Sequence, residues 1–340
     1  MAVSVDVKLL IASCFTFWAC AFPVMSRSLY EASVATTHEQ WMAKHGRAYA
    51  NDAEKEKRFQ IFMQNLQYIE SFNSAGNRSY KLGLNKFSDL TNEEFVAFYT
   101  RPFKVSSQTN SSKMASVKQL DLSDIPDSLD WRNKGAVTKI RNQERCGSCW
   151  AFATVAAVEG IVQITTGNLI QLSEQQLLDC ATENHGCAGG LMDYGFEYVI
   201  KNNGIASETD YPYLGTSTGN CDSVKAAKHA ARITGYVDVE GEEKLLQAVA
   251  MQPVSVRVAV GEEFSKYSEG IFSGSCGSQL NHEVTAIGYG TSEDGTKYWL
   301  MKNSWGEGWG ENGYIRMQMN VGNEGLCRIA AHGSYPTITA

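Results

Sequence analysis

Two cysteines separated by two residues lie just before an apolar run, and they are the residues best suited to nucleophilic chemistry. The segment reads Q-E-R-C-G-S-C-W and contains Cys146 and Cys149. The run that follows is rich in small residues and predicts a helix that starts near Cys149. The unpaired N–H groups and the positive dipole end of a helix N-terminus stabilise a thiolate. Because the thiolate is the nucleophilic form of cysteine, Cys149 is the predicted nucleophile.

The same segment matches C-G-[SA]-C-[WY], the motif around the nucleophile of papain and the cathepsins. Two further motifs lie upstream, in a stretch from about 36 to 73 that favours helix and in the residues after it. The first is an E-R-F-N-I-N pattern whose spacings return to one face of a helix: Glu54, Arg58, Phe62, Asn65, Ile69 and Asn73. The second is G-x-N-x-F-x-D at Gly83, Asn85, Phe87 and Asp89. On these motifs the chain resembles a papain-like cysteine protease precursor of the cathepsin-L type, most similar to plant members.

The resemblance implies a complete catalytic set. Such chemistry requires a thiolate, a base that also protonates the leaving amine, a group that orients the base, and an oxyanion donor. His282 and Asn303 follow Cys149 by 133 and 154 residues, close to the family spacing of roughly 130–150 residues, and are the expected base and orienting group. Gln143 resembles the side-chain oxyanion donor, beside the backbone N–H of Cys149. Trp305 is expected to cover the contact between histidine and asparagine.

The cysteine count, taken together with the resemblance, points to the same nucleophile. Two of the nine cysteines, Cys14 and Cys20, lie in an apolar N-terminal stretch that is typical of a secretory signal peptide. The remaining seven leave one thiol unpaired in a secreted chain, while the pairing of the other six is open by arithmetic alone. The resemblance implies the pairs Cys146–Cys187, Cys180–Cys221 and Cys276–Cys327, which leave Cys149 free.

The resemblance also implies where a substrate binds. Gly189 and Gly190 are expected to offer backbone hydrogen bonds to an extended peptide in a cleft between two lobes. The pocket for the second residue before the scissile bond, called the specificity pocket below, has six expected lining residues: Leu191, Met192, Arg257, Leu280, Glu283 and, at its base, His332. Two hypotheses follow. In the first, Arg257 and Glu283 pair at the rim, or one of them points to solvent, and the pocket accepts Leu or Phe. In the second, Glu283 and His332 make its preference polar and dependent on pH.

Several positions depart from the family pattern and keep other function classes open. Glu144 stands where relatives usually have glycine, Glu283 where a small residue is usual, and Ala188 where asparagine is usual. A carboxylate at Glu144 opposes a developing oxyanion unless the side chain turns to solvent or toward Arg145. A weakened homologue that acts as a binding or storage protein is therefore one alternative. A redox protein is another, because C-G-S-C is also a C-x-x-C pattern.

The chain is expected to form an α+β, papain-like fold of two lobes behind a helical propeptide. The predicted divisions are a signal peptide (1–26), an inhibitory propeptide (27–124, the leader below) and a mature peptidase (125–340). In the peptidase, 125–236 is expected to be mainly helical and 237–340 mainly strands. Glycosylation sequons occur at Asn77 and Asn110.

The charge and apolar content of the sequence limit the kinds of partner expected for this protein. The formal net charge of −7 and the absence of a basic run argue against nucleic acid. No stretch after the signal peptide is expected to cross a membrane. The expected partners are protein and peptide substrates, the leader itself as an intramolecular inhibitor, and cystatin-type inhibitors. A monomer without metal or organic cofactor is expected, in the secretory pathway, with a vacuole, a lysosome-like compartment or the extracellular space as its destination.

Overall fold

The computed structural model describes residues 29–100 and 124–339. The predicted signal peptide and Asn110 lie outside these residues. The chain divides into two compact units, up to Tyr68 and from Ile69 onward. The first unit contains helix α1 (29–45) and most of helix α2 (Asp52–Ser74). The helix expected over 36–73 is thus two helices, interrupted after Gly46, whose φ of +59° is left-handed and ends the first one.

Helix α2 carries the whole E-R-F-N-I-N stripe. At its start Arg58 donates to Glu54 with Nε and Oε1 2.7 Å apart, and further along Phe62 is fully buried. At its end Asn73 forms two hydrogen bonds with Leu82, from Nδ2 to the carbonyl (2.8 Å) and from the Leu82 N–H to Oδ1 (3.1 Å). The last motif residue therefore joins the helix to the chain that follows it, because an amide side chain both donates and accepts like a backbone peptide.

The rest of the leader packs within the second unit. Strand β1 (Tyr80–Leu82) pairs antiparallel with strand β7 (Tyr267–Phe272). Helix α3 (Asn92–Tyr99) begins with a capping box, in which Thr91 and Glu94 bond each other's backbone N–H. The leader thus extends the peptidase sheet by one strand and then places a short helix beside it.

The first half of the peptidase is mainly helical. Its elements are β2 (Leu129–Asp130), α4 (Cys149–Thr166), α5 (Glu174–Cys180), a 3-10 turn (Gly186–Ala188), α6 (Met192–Lys201), β3 (Ile205–Ala206), α7 (Ser223–Ala226) and β4 (His229–Ala231). Helices α4, α5 and α6 enclose a core that includes Trp150, Leu177 and Phe196. Helix α4 is long and apolar enough to span a bilayer, contrary to the sequence-based expectation, but 72% of it is buried inside the fold. Helix α4 is apolar because it lies in the centre of the core.

The second half is organised around one mixed sheet. Its elements are β5 (Gly235–Val239), α8 (Glu242–Met251), β6 (Val254–Val258), α9 (Glu262–Ser265), β7, β8 (His282–Thr291), β9 (Lys297–Lys302), β10 (Tyr314–Gln318), a 3-10 turn (Leu326–Arg328) and β11 (Gly333–Thr337). The strands lie in the order β1-β7-β10-β9-β8-β6-β11-β5, and β2 pairs with β8. The predicted α+β class is confirmed. Because α4 packs against β8, residues at the start of each element come together.

Candidate active site

Cys149 is the first residue of α4, as the sequence predicts. It is buried and is the only free cysteine among the described residues. Burial raises the pKa of its thiol to about 12, and the nearby Glu283 carboxyl adds to this shift. The backbone N–H groups of Glu283 and Trp150 lower the pKa, but less strongly. In the precursor the thiol is therefore protonated at neutral pH.

His282 opens strand β8 and lies in a hydrogen-bonded, stacked environment. Its Nε2 is 2.8 Å from the Oδ1 of Asn303, and its ring stacks on Trp305 at 4.5 Å between centroids. Burial lowers the pKa of His282 to about 4, against a raising effect of Asn303. Its Nδ1 has no hydrogen-bond partner among the described residues. The imidazole is therefore neutral and leaves one nitrogen available for proton transfer.

Gln143 is fully buried, and its side chain is hydrogen-bonded at both ends. Its Nε2 donates to the carbonyl of Cys146 (2.9 Å) and to the carbonyl of Tyr99 in the leader (3.2 Å). Its Oε1 accepts from the Oγ of Ser304 (2.7 Å). The group predicted to bind an oxyanion thus holds a leader carbonyl in the precursor.

Aromatic leader residues cover Trp305, which is fully buried. Phe87 and Phe95 meet its indole edge-on, with ring centroids 5.5 and 5.2 Å away. Phe87 belongs to the G-x-N-x-F-x-D motif, and Phe95 lies on α3. The sequence analysis did not single out Phe95, although an apolar residue on the inner face of a short capped helix is the expected pattern for such a contact.

One cavity gathers many of the predicted residues beside the nucleophile: Cys149, Gly189, Gly190, Arg257, His282 and Glu283, together with Asn281. Both glycines are needed there. A Cβ on Gly190 would lie 2.3 Å from the Oδ1 of Asn184, and Gly189 has a φ of +112°. Two predicted pocket residues that do not line this cavity, Leu191 and Met192, are fully buried beside it.

Arg257 and Glu283 pair, but the prediction that they do so at the rim is wrong. They are direct cross-strand partners on β6 and β8, with Nε and Oε1 3.7 Å apart and side chains only 7% and 3% exposed. Glu283 also accepts from the N–H of Met192 at 3.1 Å. Burial raises the pKa of Glu283 to about 8, against the lowering effect of Arg257. The two side chains meet because cross-strand partners lie on the same face of a sheet, and the pair is internal because every residue of β6 is buried.

His332 is held by a residue that the sequence analysis missed. Its Nε2 lies 2.9 Å from the Oδ2 of Asp193, near the start of α6. Burial lowers the pKa of His332, but the bond to Asp193 outweighs it and the net shift is upward. Leu280 is half-buried, and its carbonyl accepts from Arg257 at 3.4 Å. No spacing rule connects positions 193 and 332, so only the packing of α6 beside β11 reveals this pair.

The remaining cysteines form three disulfides, and these are the pairs that the resemblance implies. The S–S distances are 2.04 Å for Cys146–Cys187, 2.02 Å for Cys180–Cys221 and 2.05 Å for Cys276–Cys327. Because Cys146 is bonded to Cys187, the C-x-x-C pair is not available for thiol–disulfide exchange between its own two cysteines. The redox alternative therefore loses its chemical basis.

The side chain of Glu144 turns to solvent and does not pair with Arg145. Its Oε1 accepts from the Nδ2 of Asn142 at 2.6 Å in an exposed position. Arg145, the expected partner, lies instead over the ring of Phe98, 5.3 Å from its centroid. Glu144 has a φ of +57°, which glycine adopts without strain. The usual glycine at this position has a conformational reason.

A buried ionic cluster lies behind the catalytic candidates, and no pattern in the sequence predicts it. Lys302 donates to the Oγ1 of Thr138 (2.8 Å), which donates to the Oε2 of Glu159 (2.6 Å). Glu159 also accepts from the Leu172 N–H at 2.9 Å. Lys302 directly precedes Asn303, so the cluster anchors the end of β9 from which the asparagine projects. The members are far apart in sequence and share no periodicity.

Two remaining predictions concern other sites. Asn77 lies in an exposed turn with a φ of +49°, so its side chain is accessible to a modifying enzyme. Within the described ranges, no three His, Cys, Asp or Glu side chains converge in a way that could hold a metal ion.

Comparison with protein-family models gives two matches. Residues 125–337 match the papain family cysteine protease model, and residues 38–95 match the cathepsin propeptide inhibitor domain.

Relatives and solved structures agree with these matches. The chain is 48% identical to the senescence-specific cysteine protease SAG39 of Oryza sativa subsp. japonica, over 94% of this chain and 95% of the relative. It is 46% identical to fruit bromelain of Ananas comosus, over 88% and 85%. Among solved structures, the recombinant stem bromelain precursor has a TM-score of 0.84 at 46% identity, covering 91% of this chain and all of the other. The proform of the Amb a 11 cysteine protease, a major ragweed pollen allergen, has a TM-score of 0.81 at 40% identity, covering 90% and 95%. The chain therefore belongs to the papain family of cysteine proteases, and it is a cysteine endopeptidase in its zymogen form with the propeptide as intramolecular inhibitor.

Proposed function

We propose that the mature peptidase cleaves peptide bonds with Cys149 as nucleophile, His282 as the proton-transfer group and Asn303 as its orienting partner. The observation that carries this proposal is the 2.8 Å contact between His282 Nε2 and Asn303 Oδ1, in the same cleft as Cys149, the one free thiol within residues 29–100 and 124–339. The contact fixes one imidazole nitrogen and leaves Nδ1 for the thiol proton.

The reaction then runs in two halves. The Cys149 thiolate forms a C–S bond to the substrate carbonyl, and the C–N bond breaks as His282 gives its proton to the leaving amine. Water then attacks the thioester while His282 takes one of its protons, which releases the carboxylic acid and restores the Cys149 thiolate beside the protonated His282. The amide of Gln143 and the backbone N–H of Cys149 stabilise the oxyanion in both halves.

Departure of the leader starts this activity. In the precursor the Tyr99 carbonyl occupies the Gln143 donor, and Phe87 and Phe95 cover Trp305. Burial also keeps the Cys149 thiol and the His282 imidazole neutral. Cleavage near residue 124 exposes the site to water, which favours the charged thiolate–imidazolium pair.

The same proposal covers targeting and partners. The segment 1–26 directs the chain into the secretory pathway, with a vacuole, a lysosome-like compartment or the extracellular space as its destination. The mature protein acts as a monomer on protein and peptide substrates, and cystatin-type inhibitors bind the cleft. Expression of the full chain with a C-terminal tag, followed by organelle fractionation, tests the destination.

For the specificity pocket, the contacts favour a pocket that is apolar at its wall and ionic at its base. Arg257 lies beside Glu283 and His332 beside Asp193, so in each buried pair one side chain offsets the charge of the other. The apolar part is supplied by Leu280 together with the packed Leu191 and Met192. Phe or Leu is therefore the preferred second residue before the scissile bond.

Acid-activated protein on a panel of fluorogenic peptides tests the catalytic assignment. Cys149→Ala should abolish hydrolysis and His282→Ala should reduce it by at least about 10³-fold. Asn303→Ala should be milder, because Trp305 still packs on the imidazole. His229→Ala, on β4 in the helical half, is the matched control and should retain activity. Turnover by Cys149→Ala would refute the assignment, and a folded wild type with a reactive thiol but no turnover would favour the weakened homologue.

A further inference from the structure

Tyr213, in the loop between β3 and α7, touches both parts of the chain that carry the proposed oxyanion donors. Its hydroxyl donates to the backbone carbonyl of Gln143 at 2.7 Å. The same hydroxyl lies 2.8 Å from the Oγ of Ser148, the residue before Cys149. Gln143 and Ser148 are fully buried. One phenol therefore bridges the Gln143 loop and the N-terminus of α4.

The direction of this hydrogen-bond chain is fixed by chemistry. A carbonyl only accepts, so the single hydroxyl hydrogen of Tyr213 points to Gln143. The Ser148 hydroxyl must then donate to the Tyr213 oxygen, which is closer than its other acceptor, the Cys146 carbonyl at 3.4 Å. With the shorter contact as the donor bond of Ser148, the chain runs from Ser148 through Tyr213 to Gln143.

The Tyr213 ring is held in place on several sides. Its edge meets the ring of Phe152 on α4, with centroids 5.0 Å apart and planes at 80°. Its backbone N–H donates to Glu208 at 3.1 Å, and the guanidinium of Arg141 lies 5.9 Å from its centroid. A side chain fixed in this way loses little further entropy when it holds the loop.

The Gln143 loop depends on the Tyr213 hydrogen bond more than a loop with glycine at position 144 would. The carbonyl that accepts from Tyr213 belongs to the peptide between Gln143 and Glu144, and Glu144 has a φ of +57°. A residue with a Cβ is strained in this region, and the peptide before it tends to rotate out of the arrangement unless other contacts hold it. Rotation of that peptide would move the Gln143 side chain.

We propose that Tyr213 is a positioning residue that sets the distance between the two oxyanion donors, the Gln143 amide and the Cys149 backbone N–H. The proposal rests on the proposed function of Gln143 and Cys149. It adds that the hydroxyl of Tyr213, together with that of Ser148, locks the loop to the start of α4. Each donor is useful only if both reach the same oxygen atom, so this distance affects the transition state more than substrate binding.

The test compares hydrolysis with a reaction of the same thiol that needs no oxyanion site. In activated Tyr213→Phe, kcat for a fluorogenic peptide should fall about five- to tenfold with KM changed less than about twofold, as for one lost hydrogen bond that acts in the transition state. The rate at which the Cys149 thiolate displaces iodide from iodoacetamide should stay within about twofold of wild type, because attack at the CH2 carbon creates no oxyanion. Adding Glu144→Gly to Tyr213→Phe should restore part of kcat by relieving the strain.

Tyr211→Phe is the matched control, because the Tyr211 hydroxyl donates to Asp179 at 3.0 Å and does not touch the Gln143 loop. It should leave kcat unchanged even if it lowers the unfolding temperature. Equal losses of hydrolysis and alkylation in Tyr213→Phe, or a kcat equal to wild type, would overturn the proposal. If Tyr213→Phe does not fold, Ser148→Ala replaces it, with a smaller kcat loss expected and an unchanged kcat contradicting the role. A wild type without Cys149-dependent hydrolysis would instead refute the proposed function.

Discussion

Replacing Phe95 by alanine should open the precursor without unfolding the peptidase. Phe95 is 2% exposed and packs against Phe87 at 5.0 Å and Trp305 at 5.2 Å between ring centroids. Truncation of a buried phenylalanine to alanine costs about 3–5 kcal/mol. Alanine favours helix more than phenylalanine does, and the Thr91–Glu94 capping box remains. The substitution therefore weakens the packing of α3 against Trp305 and does not destabilise the helix itself.

A loss of about 3 kcal/mol raises the population of the open precursor about a hundredfold. The assay is alkylation of Cys149, which is 4% exposed in the precursor, by iodoacetamide at neutral pH. When opening and closing are fast, the alkylation rate follows the open population. Intact chain length is checked by gel electrophoresis at each time point, and the alkylation rate of the mature enzyme gives the upper limit.

Phe98→Ala is the matched control on the same helix. Phe98 is 37% exposed and its ring lies under the Arg145 guanidinium, so its loss should change the alkylation rate less than about fivefold. An alkylation rate in Phe95→Ala within threefold of wild type would show that the aromatic cluster does not hold the leader closed.

Three further predictions concern pH and stability. Asp89→Asn removes an anion that is 2% exposed in the leader. If this anion holds the leader folded or docked, self-processing should begin at higher pH on gels between pH 4 and 7; an unchanged onset would exclude Asp89 from acid activation of the precursor. Burial raises the pKa of Glu283 to about 8, so its carboxylate is protonated as pH falls from 9 to 7, which leaves the Arg257 guanidinium without a countercharge. The preference for Phe over Arg as the second residue before the scissile bond should therefore rise from pH 9 to 7, and become independent of pH in Glu283→Ala; a constant ratio in the wild type would refute the ionic pocket. Lys302→Met leaves Glu159 buried without its nearby cation, and should lower the free energy of unfolding in urea by about 3 kcal/mol; a loss below 1 kcal/mol would mean that Glu159 is protonated throughout.

Cys149 was predictable because it carries a local signal, whereas His282 and Asn303 were identified through the resemblance, by their spacing from Cys149. Cys149 stands in a short motif before a helix, and the helix does begin at that residue. The specificity pocket was less predictable. The sequence placed Arg257 and Glu283 in one pocket, but a rim pair and a buried pair look the same in sequence, and only the cross-strand register decides between them.

The sequence by itself determined the family, the helical and strand-rich halves and, through the nucleophile motif, the identity of the unpaired cysteine, because motifs and periodicity act over short distances and parity needs only a count. The tertiary structure alone decided which distant groups meet. It brings Asp193 to His332, Thr138 to Lys302 and Tyr213 to Gln143, pairs separated by 139, 164 and 70 residues. Hydrogen bonds between buried side chains depend on the packing of whole elements, and no local pattern encodes such packing.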